Sequence, residues 1–381
     1  MKKRALKNGV LSSQELKGAI AEGVIKADPP IEDRQIQPAS IDLRCGHKVF
    51  RLVSSFLPES MPVLDRLHTP DVYGSDLVMY EMDISEGGIL ERGSVYLIPL
   101  MEELDLPADV DGKANPKSTT GRLDIFARVI TDNNPRFDEI PAGYRGRLFV
   151  EVLPRSFTIK IKAGVSLVQL RLRRGEAVLE DSALKRLNSR HSLLYDGSKA
   201  LPTREVRISN GLFMSVDLVG EDSSGIIGYK SKKNSHVIDL TKVGYYNAED
   251  FWEPIYRNSK DTLILEPEEF YILASKERIR VPSGYAAEMV PYEVGSGELR
   301  THYAGFFDPG FGYGTKGEVK GTKAVLEVRA HDVPFMVVHG QTFCKLFFEK
   351  MSTLPEKVYG PKIGSSYQYQ TISLSKQFKK G

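Results

Sequence analysis

Cysteine is almost absent from this 381-residue chain, which has only Cys45 and Cys344. The two lie far apart in sequence and each falls in an apolar, strand-like run, so we expect reduced thiols in the core of a cytoplasmic protein. No Cys-x-x-Cys pair occurs. Zinc enzymes that deaminate nucleosides hold their metal with a His or Cys plus such a pair, and this class of catalytic site is therefore excluded.

Long apolar runs and an excess of charge are also missing. No stretch reaches the roughly eighteen apolar residues of a membrane-spanning helix, and no apolar segment follows the basic residues at the start of the chain. We therefore expect neither a transmembrane nor a secreted protein. Lysine and arginine number 52 against 50 aspartates and glutamates, a net charge of +2. Such a balance is not typical of a protein that coats a polyanion.

Short β-branched runs dominate what the chain does contain. Residues 12–25 have the apolar spacing of a short amphipathic helix, with Ser12 and Glu15 as its capping box. After it, runs separated by Gly, Pro and Asp turns follow one another at the spacing of an all-β protein. We predict strands at residues 40–43, 48–52, 95–98, 125–130, 147–152, 158–161 and 166–172.

The second half of the chain repeats the first. A shift of 175 residues places Tyr96 on Tyr271, and a shift of 176 places Glu151 on Glu327. Agreement at a near-constant offset across both halves indicates a tandem duplication. We therefore predict a first domain over residues 1–175, a polar linker or arm over residues 176–205, and a second domain over residues 206–381 with an insertion at 222–258.

One stretch of the first half, Lys117-Ser118-Thr119-Thr120-Gly121-Arg122, has the chemistry of an anion cradle. Hydroxyls and backbone N–H groups can donate to phosphate oxygens, glycine lets the backbone come close, and arginine can form a bidentate fork. A solvated loop is the alternative for such a sequence. The duplication favours the cradle, because the corresponding residues 292–297 contain no cation and include Glu293, which would repel a phosphate.

Each half also places a glutamate in an otherwise apolar strand that follows a glycine-containing hairpin. Gly143-Tyr144-Arg145-Gly146 precedes Glu151, and Asp308-Pro309-Gly310-Phe311 precedes Glu327. Burial among apolar neighbours makes a carboxylate easier to protonate, which suits it to proton transfer. An outward-facing strand residue is the alternative for each glutamate.

The ordered set of motifs in this chain resembles the dCTP deaminase branch of the trimeric dUTPase family. The motifs that carry the resemblance are residues 37–44, the cradle, the two hairpins with their glutamates, Gly340-Gln341 and the tail from Tyr359 to Gln370. The resemblance covers nearly the whole chain as two copies. It implies a mainly-β chain of two tandem dUTPase-like distorted β-barrels of the β-clip type, with a short N-terminal helix, assembled as a homo-trimer with sites between subunits. It also implies conversion of dCTP to dUTP and ammonia, for dUMP and dTTP biosynthesis, by a strand glutamate that activates water without zinc.

The resemblance assigns roles to individual residues. Glu151 or Glu327 matches the catalytic glutamate of the family. The phosphate-binding stretch is matched by Lys117, Ser118, Thr119, Thr120, Gly121 and Arg122. Contacts to the deoxynucleoside and from the closing tail are expected at Thr131, Asp132, Tyr144, Asp308, Tyr359 and Gln370. An Mg²⁺ ion would bridge phosphate oxygens of the dCTP substrate, and dTTP is the expected inhibitor, whereas neither nucleic acid nor a membrane is implied as a partner.

The two halves depart from the family in different places. The first half has Pro141 where the family has the turn aspartate, and Asp132 or Asp138 are the candidates to replace it. The second half has the better turn but no cradle. Stacked trimers, one of each half, would favour Glu151, whereas a mixed ring would pair the cradle with Glu327. We favour Glu151 as the catalytic glutamate, and both arrangements of the trimer remain open at this point.

Two other functions would use the same scaffold. A dUTP pyrophosphatase, or a bifunctional enzyme that continues to dUMP, would direct water at the α-phosphate rather than at C4 of cytosine. A non-catalytic deoxynucleotide-binding regulator is the third hypothesis, because the second half lacks the cations of the cradle.

Overall fold

The computed structural model describes residues 7–69, 76–221, 223–291, 299–301, 305–330, 332–360 and 371–380. The chain is mainly β, as predicted, with its strands in several sheets. Among the described residues, no helix is both long and apolar enough to cross a membrane. The chain divides into two compact units: the N unit comprises Ser13–Gly175, Lys233–Tyr246 and Ser375–Gly381, and the C unit comprises Met1–Ser12, Glu176–Lys232 and Asn247–Leu374.

The described residues form the following elements. The helices are α1 Ser13–Ala21, α2 Val63–Leu67, α3 Ser118–Gly121 and α4 Asp181–His191. The strands before residue 175 are β1 Gly9–Val10, β2 Ile25–Ala27, β3 Ile41–Leu43, β4 Lys48–Leu52, β5 Val78–Asp83, β6 Gly88–Leu90, β7 Val95–Asp105, β8 Val110–Pro116, β9 Ile125–Thr131, β10 Glu139–Ile140, β11 Arg145–Pro154, β12 Ile159–Ile161 and β13 Val168–Arg174. Those after it are β14 Leu194–Asp196, β15 Lys199–Ala200, β16 Leu212–Asp217, β17 Ile226–Ser231, β18 Ile238–Asp239, β19 Trp252–Tyr256, β20 Thr262–Leu265, β21 Phe270–Ile279, β22 Tyr285–Pro291, β23 Leu299–Thr301, β24 Phe306–Phe307, β25 Thr322–Ala330, β26 Phe335–Val338 and β27 Thr342–Lys350.

Helix α1 is shorter than the predicted helix. It ends at Ala21, because Gly23 has a φ of +74°, a left-handed conformation that an L side chain rarely adopts. The Gly23 N–H donates to the Ile20 carbonyl at 3.1 Å, and the Val24 N–H donates to the Ala19 carbonyl at 2.8 Å, which is the Schellman ending of a helix. The apolar residues that follow continue as strand β2, which pairs with β7.

The largest sheet of the N unit is organised around β11. Its strand order is β5-β4-β7-β11-β9, and β11 pairs antiparallel with both β7 and β9. Residues 148–152 of β11 are all buried. Because this strand is hydrogen-bonded on both edges and covered on both faces, a polar side chain in it is withdrawn from water.

A second sheet of the N unit positions the cradle. Strand β13 pairs antiparallel with β3 and with β8, and β10 adds to β8. Strand β8 ends at Pro116, which cannot continue a ladder because it has no N–H, and the chain turns directly into α3. The cradle residues therefore lie at the end of a paired strand.

The C unit repeats this strand pattern around its own apolar core. Strand β21 pairs with β16 and with β25, and β22 pairs with β27. Glu327 lies in β25 opposite Ile272 of β21. The core of this unit includes Leu273, Leu326, Phe343 and Phe348, each no more than 1% exposed.

A tyrosine contact recurs at the offset of the duplication. The buried Tyr96 hydroxyl accepts a hydrogen bond from the Glu91 N–H at 3.0 Å. The buried Tyr271 hydroxyl accepts the same bond from the Glu266 N–H at 2.9 Å. The two halves thus repeat a side-chain contact as well as a strand pattern.

The regions predicted as a linker and an insertion have regular structure. Residues 176–205 contain α4, β14 and β15, within the C unit. The insertion forms a hairpin of β17 and β19, and its middle part, Lys233–Tyr246, belongs to the N unit. There β18 pairs in parallel with β12, with Ile159 opposite Ile238.

Candidate active site

The predicted anion cradle is a tight turn that is fixed to its neighbours by the backbone. The Lys117 N–H donates to the Leu167 carbonyl at 2.9 Å, and the Thr120 N–H donates back to the Lys117 carbonyl at 2.8 Å. The Thr120 hydroxyl donates to the same Leu167 carbonyl at 2.7 Å. These bonds hold α3 against the segment that leads into β13, so the position of the cradle does not depend on a ligand.

The cradle opens onto a cleft of about 380 Å³ within the N unit. This volume lies in the range of roughly 300–1,000 Å³ that small-molecule sites occupy. The residues Thr119, Thr120, Ser166 and Thr241, which carry hydroxyls, line the cleft. Its charged lining residues are Arg34, Arg44, Lys117 and Lys376, against a single carboxylate, Asp42. Arg34, Arg44 and Lys117 each form an ion pair with a carboxylate, so the excess positive charge that favours an anionic ligand is that of Lys376.

A buried ion network forms the wall of the cleft beside Asp42. The Arg44 Nε donates to Glu102 at 2.8 Å, and the Gln35 amide donates to Glu102 at 3.0 Å and to the Asp42 carbonyl at 2.9 Å. Glu102 is fully buried. The Asp42 carboxylate itself forms an ion pair with the Lys117 ammonium of the cradle. Asp42 is thereby fixed in place, and it positions the cradle lysine.

Glu151 of β11 is buried, with 2% of its surface exposed. Its cross-strand neighbour Arg128 of β9 donates from Nε and Nη2 to a single carboxylate oxygen, Oε1. The other oxygen, Oε2, is buried and accepts no hydrogen bond within the described part of the chain. A buried carboxylate oxygen without a donor is costly, so Oε2 is available to accept a hydrogen bond from a ligand.

Arg128 is held in place by aromatic rings. Its guanidinium carbon lies 3.5 Å from the ring centroid of Phe137 and 4.4 Å from that of Phe126. Its Nη2 also donates to the Ser55 hydroxyl at 2.9 Å. Stacking and hydrogen bonding together fix the guanidinium, and therefore the orientation of the Glu151 carboxylate.

A second carboxylate, Asp138, is electrostatically coupled to this pair. Its Oδ1 accepts the Val129 N–H at 2.7 Å. Desolvation raises the pKa of Asp138 to about 7, and the nearby Glu151 contributes to the rise, whereas Arg128 opposes it. Asp138 is thus able to gain or lose a proton near neutral pH. Asp132 and Asp138 are the two candidates to replace the turn aspartate, and Asp138 is the one that lies near Glu151.

The remaining first-half candidates stabilise the hairpin. Asp132 Oδ1 accepts the Val63 N–H at 2.7 Å at the start of α2. The Tyr144 hydroxyl accepts the Asp132 N–H at 3.2 Å and donates to the Arg147 carbonyl at 2.6 Å, and burial raises the Tyr144 pKa. The buried Thr131 hydroxyl accepts the Asn134 amide at 3.0 Å. These contacts position the hairpin, and none of the three predicted residues lines the cleft.

In the C unit the structure brings Tyr359 to the turn that contains Asp308. The Tyr359 N–H donates to the Pro309 carbonyl at 2.8 Å, and the ring centroids of Phe311 and Tyr359 lie 5.3 Å apart. Gly310, with a φ of +95°, allows this approach, since a side chain there would clash with Val358. Asp308 in this turn and Glu327 in β25 are both buried.

The two halves differ in what pairs with the repeated aspartate. In the N unit Asp42 pairs with Lys117 of the cradle, whereas in the C unit Asp217 pairs with Lys323 of β25 at 2.5 Å. The residues that correspond to the cradle, 292–297, lie outside the described residues, as does Gln370.

Comparison with known proteins places the chain in a family. The N-terminal domain model of 2'-deoxycytidine 5'-triphosphate deaminase matches residues 7–176, and the C-terminal domain model matches residues 180–378. The crystal structure of 2'-deoxycytidine 5'-triphosphate deaminase from Agrobacterium tumefaciens is 43% identical, with a TM-score of 0.83 over 92% of this chain and 100% of that one. The chain belongs to the dCTP deaminase family.

Single-length relatives of the dCTP deaminase family match part of the chain. A "dCTP deaminase, dUMP-forming" of Sulfurihydrogenibium sp. is 28% identical over 162 residues, which are 42% of this chain and 81% of that protein. A "dCTP deaminase" of Ignicoccus hospitalis is 25% identical over 179 residues, 46% of this chain and 89% of its own length. Each covers about half of this chain but most of itself, as expected if this chain holds two copies.

The structure brings some of the predicted residues together and leaves others apart. Lys117, Thr119 and Thr120 line the cleft, whereas Ser118, Gly121 and the buried Arg122 belong to the same turn without lining it. Glu151 lies in the largest sheet of the N unit and does not line the cleft, and its ion-pair partner Arg128 is a residue that the sequence did not single out. The pairing of Arg128 with Glu151 depends on the register of β9 against β11, and the position of Lys376 in the cleft has no signal in the sequence.

Proposed function

We propose that this protein hydrolyses dCTP to dUTP and ammonia. The observation that carries the proposal is the match of the two dCTP deaminase domain models, one to each half of the chain. Two features of the N unit support it: a cleft lined by cations and hydroxyls, which suits a triphosphate, and a buried carboxylate with one oxygen free to accept a proton.

Deamination requires a group that moves two protons. A water molecule adds to C4 of the cytosine ring and supplies the O4 of uracil. The carboxylate takes the two protons of this water in turn. It passes the first to N3 of the ring and the second to the N4 amino group, which leaves as ammonia when the C4–N4 bond breaks. A positioned carboxylate of this kind accelerates a reaction by roughly 10²–10⁴-fold, and this route needs no zinc.

The geometry of Glu151 fits this role. Arg128 holds Oε1, so the proton is carried by Oε2, which accepts no hydrogen bond within the described part of the chain. The fixed guanidinium keeps that oxygen in one orientation between the two transfers. We therefore assign the proton shuttle to Glu151 and treat Glu327, buried at the equivalent position of β25, as the alternative.

The cradle would hold the triphosphate of the substrate. Thr119 and Lys117 of the cradle line the cleft together with Ser166 and Thr241, and these residue types suit phosphate oxygens as ligands. The single carboxylate, Asp42, is already paired with Lys117, so an Mg²⁺ ion would enter as part of the substrate, bound to the phosphate oxygens.

Ammonia release tests the proposal. Wild type, Glu151→Gln and Glu327→Gln are incubated in parallel with dCTP and Mg²⁺, and ammonia and dUTP are measured. We expect activity in the wild type and in Glu327→Gln, and loss of activity in Glu151→Gln. Loss in Glu327→Gln alone would assign the reaction to the second glutamate, and no ammonia from folded wild type would refute the function.

A second reaction, hydrolysis of the dUTP product to dUMP and pyrophosphate, is favoured by the names of relatives. The proteins of Sulfurihydrogenibium sp. and Methanothermobacter thermautotrophicus are each called "dCTP deaminase, dUMP-forming". Pyrophosphate release from dCTP and from added dUTP decides between the two products. Ammonia without pyrophosphate would limit this protein to deamination.

A further inference from the structure

The last residues of the chain form part of the cleft. Lys376 lines it, between Ser375 and Gln377, which are 2% and 3% exposed. Lys376 itself is exposed. Because both of its neighbours are buried, they fix the direction in which Lys376 points. Lys376 is therefore an exposed lysine held between two buried residues.

Hydrogen bonds attach this segment to the cradle and to the insertion. The Ser375 hydroxyl lies 2.8 Å from the carbonyl oxygen of Thr119, a cradle residue, and 2.7 Å from the Gln377 side-chain oxygen. The Gln377 amide donates to the Leu240 carbonyl at 3.2 Å. Residues on both sides of Lys376 are therefore bonded to walls of the same cleft.

The insertion supports the segment through its backbone. The Gly244 N–H donates to the Lys376 carbonyl at 2.9 Å, and the Tyr245 N–H donates to the Gln377 carbonyl at 2.8 Å. The insertion is itself fixed by β18, where the Leu240 N–H donates to the Lys160 carbonyl at 2.9 Å. Lys376 is thus supported by a strand-paired element, which gives the middle of the insertion a structural role at the cleft.

Among the cations of the cleft, Lys376 differs in its partners. Arg34 pairs with Glu32, Arg44 with Glu102 and Lys117 with Asp42. Lys376 forms no ion pair within the described part of the chain. Desolvation and the charge of Lys117 lower its pKa, while Asp42 opposes this. A cation next to another cation, without its own carboxylate, is stabilised by an anion that binds between them.

We propose that Lys376 is a phosphate-binding residue of this cleft and that the insertion segment Lys233–Tyr246 holds it there. This inference rests on the proposed function in taking the ligand to be the triphosphate of a deoxynucleotide. It assigns the second cation of the phosphate site to the end of the chain, and it explains why the cleft is built partly from residues of the second half of the sequence.

The test compares binding by full-length wild type, Lys376→Met, Lys376→Arg and Lys380→Ala. Titration calorimetry at one ionic strength uses dCTP, inorganic tripolyphosphate and deoxycytidine as probes. Methionine keeps the length of the side chain and removes its charge. Since a hydrogen bond to a charged group is stronger than one between neutral groups, we expect Lys376→Met to bind dCTP and tripolyphosphate at least about tenfold more weakly.

The controls separate charge from structure. Lys376→Arg retains the charge and is expected to keep most of the affinity, and Lys380→Ala, which removes an exposed lysine outside the cleft, is expected to bind as wild type. All four proteins are expected to have the same thermal midpoint, and deoxycytidine, which carries no phosphate, is expected to bind them equally.

Binding of tripolyphosphate by Lys376→Met with wild-type affinity would overturn the inference. An equal loss of deoxycytidine affinity would also overturn it, because the residue would then act on the whole site rather than on phosphate. The proposed function is tested separately by ammonia release from the wild type. If that fails while Lys376→Met still weakens tripolyphosphate binding, the phosphate site stands and the reaction is wrong.

Discussion

The half-buried Asp138 gives the N unit a dependence of stability on pH that can be worked out from its environment. Desolvation raises its pKa from the ordinary 3.8 to about 7 in the folded chain. Folding therefore takes up a proton between these values, and the free energy of unfolding falls as pH rises through this window. Below about pH 4 the group is protonated in both states and contributes no difference.

The magnitude follows from the two pKa values of Asp138. One pKa unit corresponds to about 1.4 kcal/mol, so the whole shift is worth at most about 4 kcal/mol, and the part between pH 5 and pH 8 is roughly 2–3 kcal/mol. Asp138→Asn removes the charge but keeps the oxygen that accepts the Val129 N–H. We therefore expect this variant to be more stable than wild type at pH 8, with a smaller difference at pH 5.

Urea denaturation of both proteins at pH 5, 6, 7 and 8 measures this difference. Asp83→Asn is the matched control: hydrogen bonds from Ser85 lower the Asp83 pKa, so this exposed group is ionised in both states throughout the range and its effect should not vary with pH. A stability difference between Asp138→Asn and wild type that stays constant from pH 5 to pH 8 would refute the reasoning about burial.

Three further predictions concern named contacts. Glu151→Gln is expected to lower the rate of ammonia release from dCTP by about 10²-fold or more, with little change in the thermal midpoint. Arg128→Met leaves the buried Glu151 carboxylate without its partner and is expected to cost about 3–5 kcal/mol in urea denaturation. Combining it with Glu151→Gln should recover most of that loss, and an equally large loss in the double variant would contradict the account. Gly23→Ala places a side chain at a φ of +74° and should destabilise the N unit by about 1 kcal/mol. A loss of stability below about 0.3 kcal/mol would contradict this prediction.

The strands were predictable because their signals are local. The apolar alternation and turn residues of the first half located β4, β9 and β11 with errors of at most two residues. The end of α1 was missed for a local reason as well: the apolar spacing extended the predicted helix to residue 25, whereas Gly23 ends it earlier.

The environments of the site residues were less predictable, because they depend on contacts between distant parts of the chain. The position of Lys376 is set by Ser375, whose hydroxyl bonds to Thr119, 256 residues earlier. The pairing of Glu151 with Arg128 needs the register of β9 against β11, which periodicity does not determine. The cradle could be proposed from sequence because its chemistry is carried by six consecutive residues.

The most direct test of the central claim is a measurement of products from dCTP. Purified full-length protein with dCTP and Mg²⁺ should release ammonia in a one-to-one ratio with the uracil nucleotide formed, dUTP or dUMP. Calorimetric binding of dCTP by the same preparation shows whether the site is intact. Stoichiometric ammonia is the predicted result, and binding of dCTP without any ammonia would contradict the assignment of this chain as a deaminase.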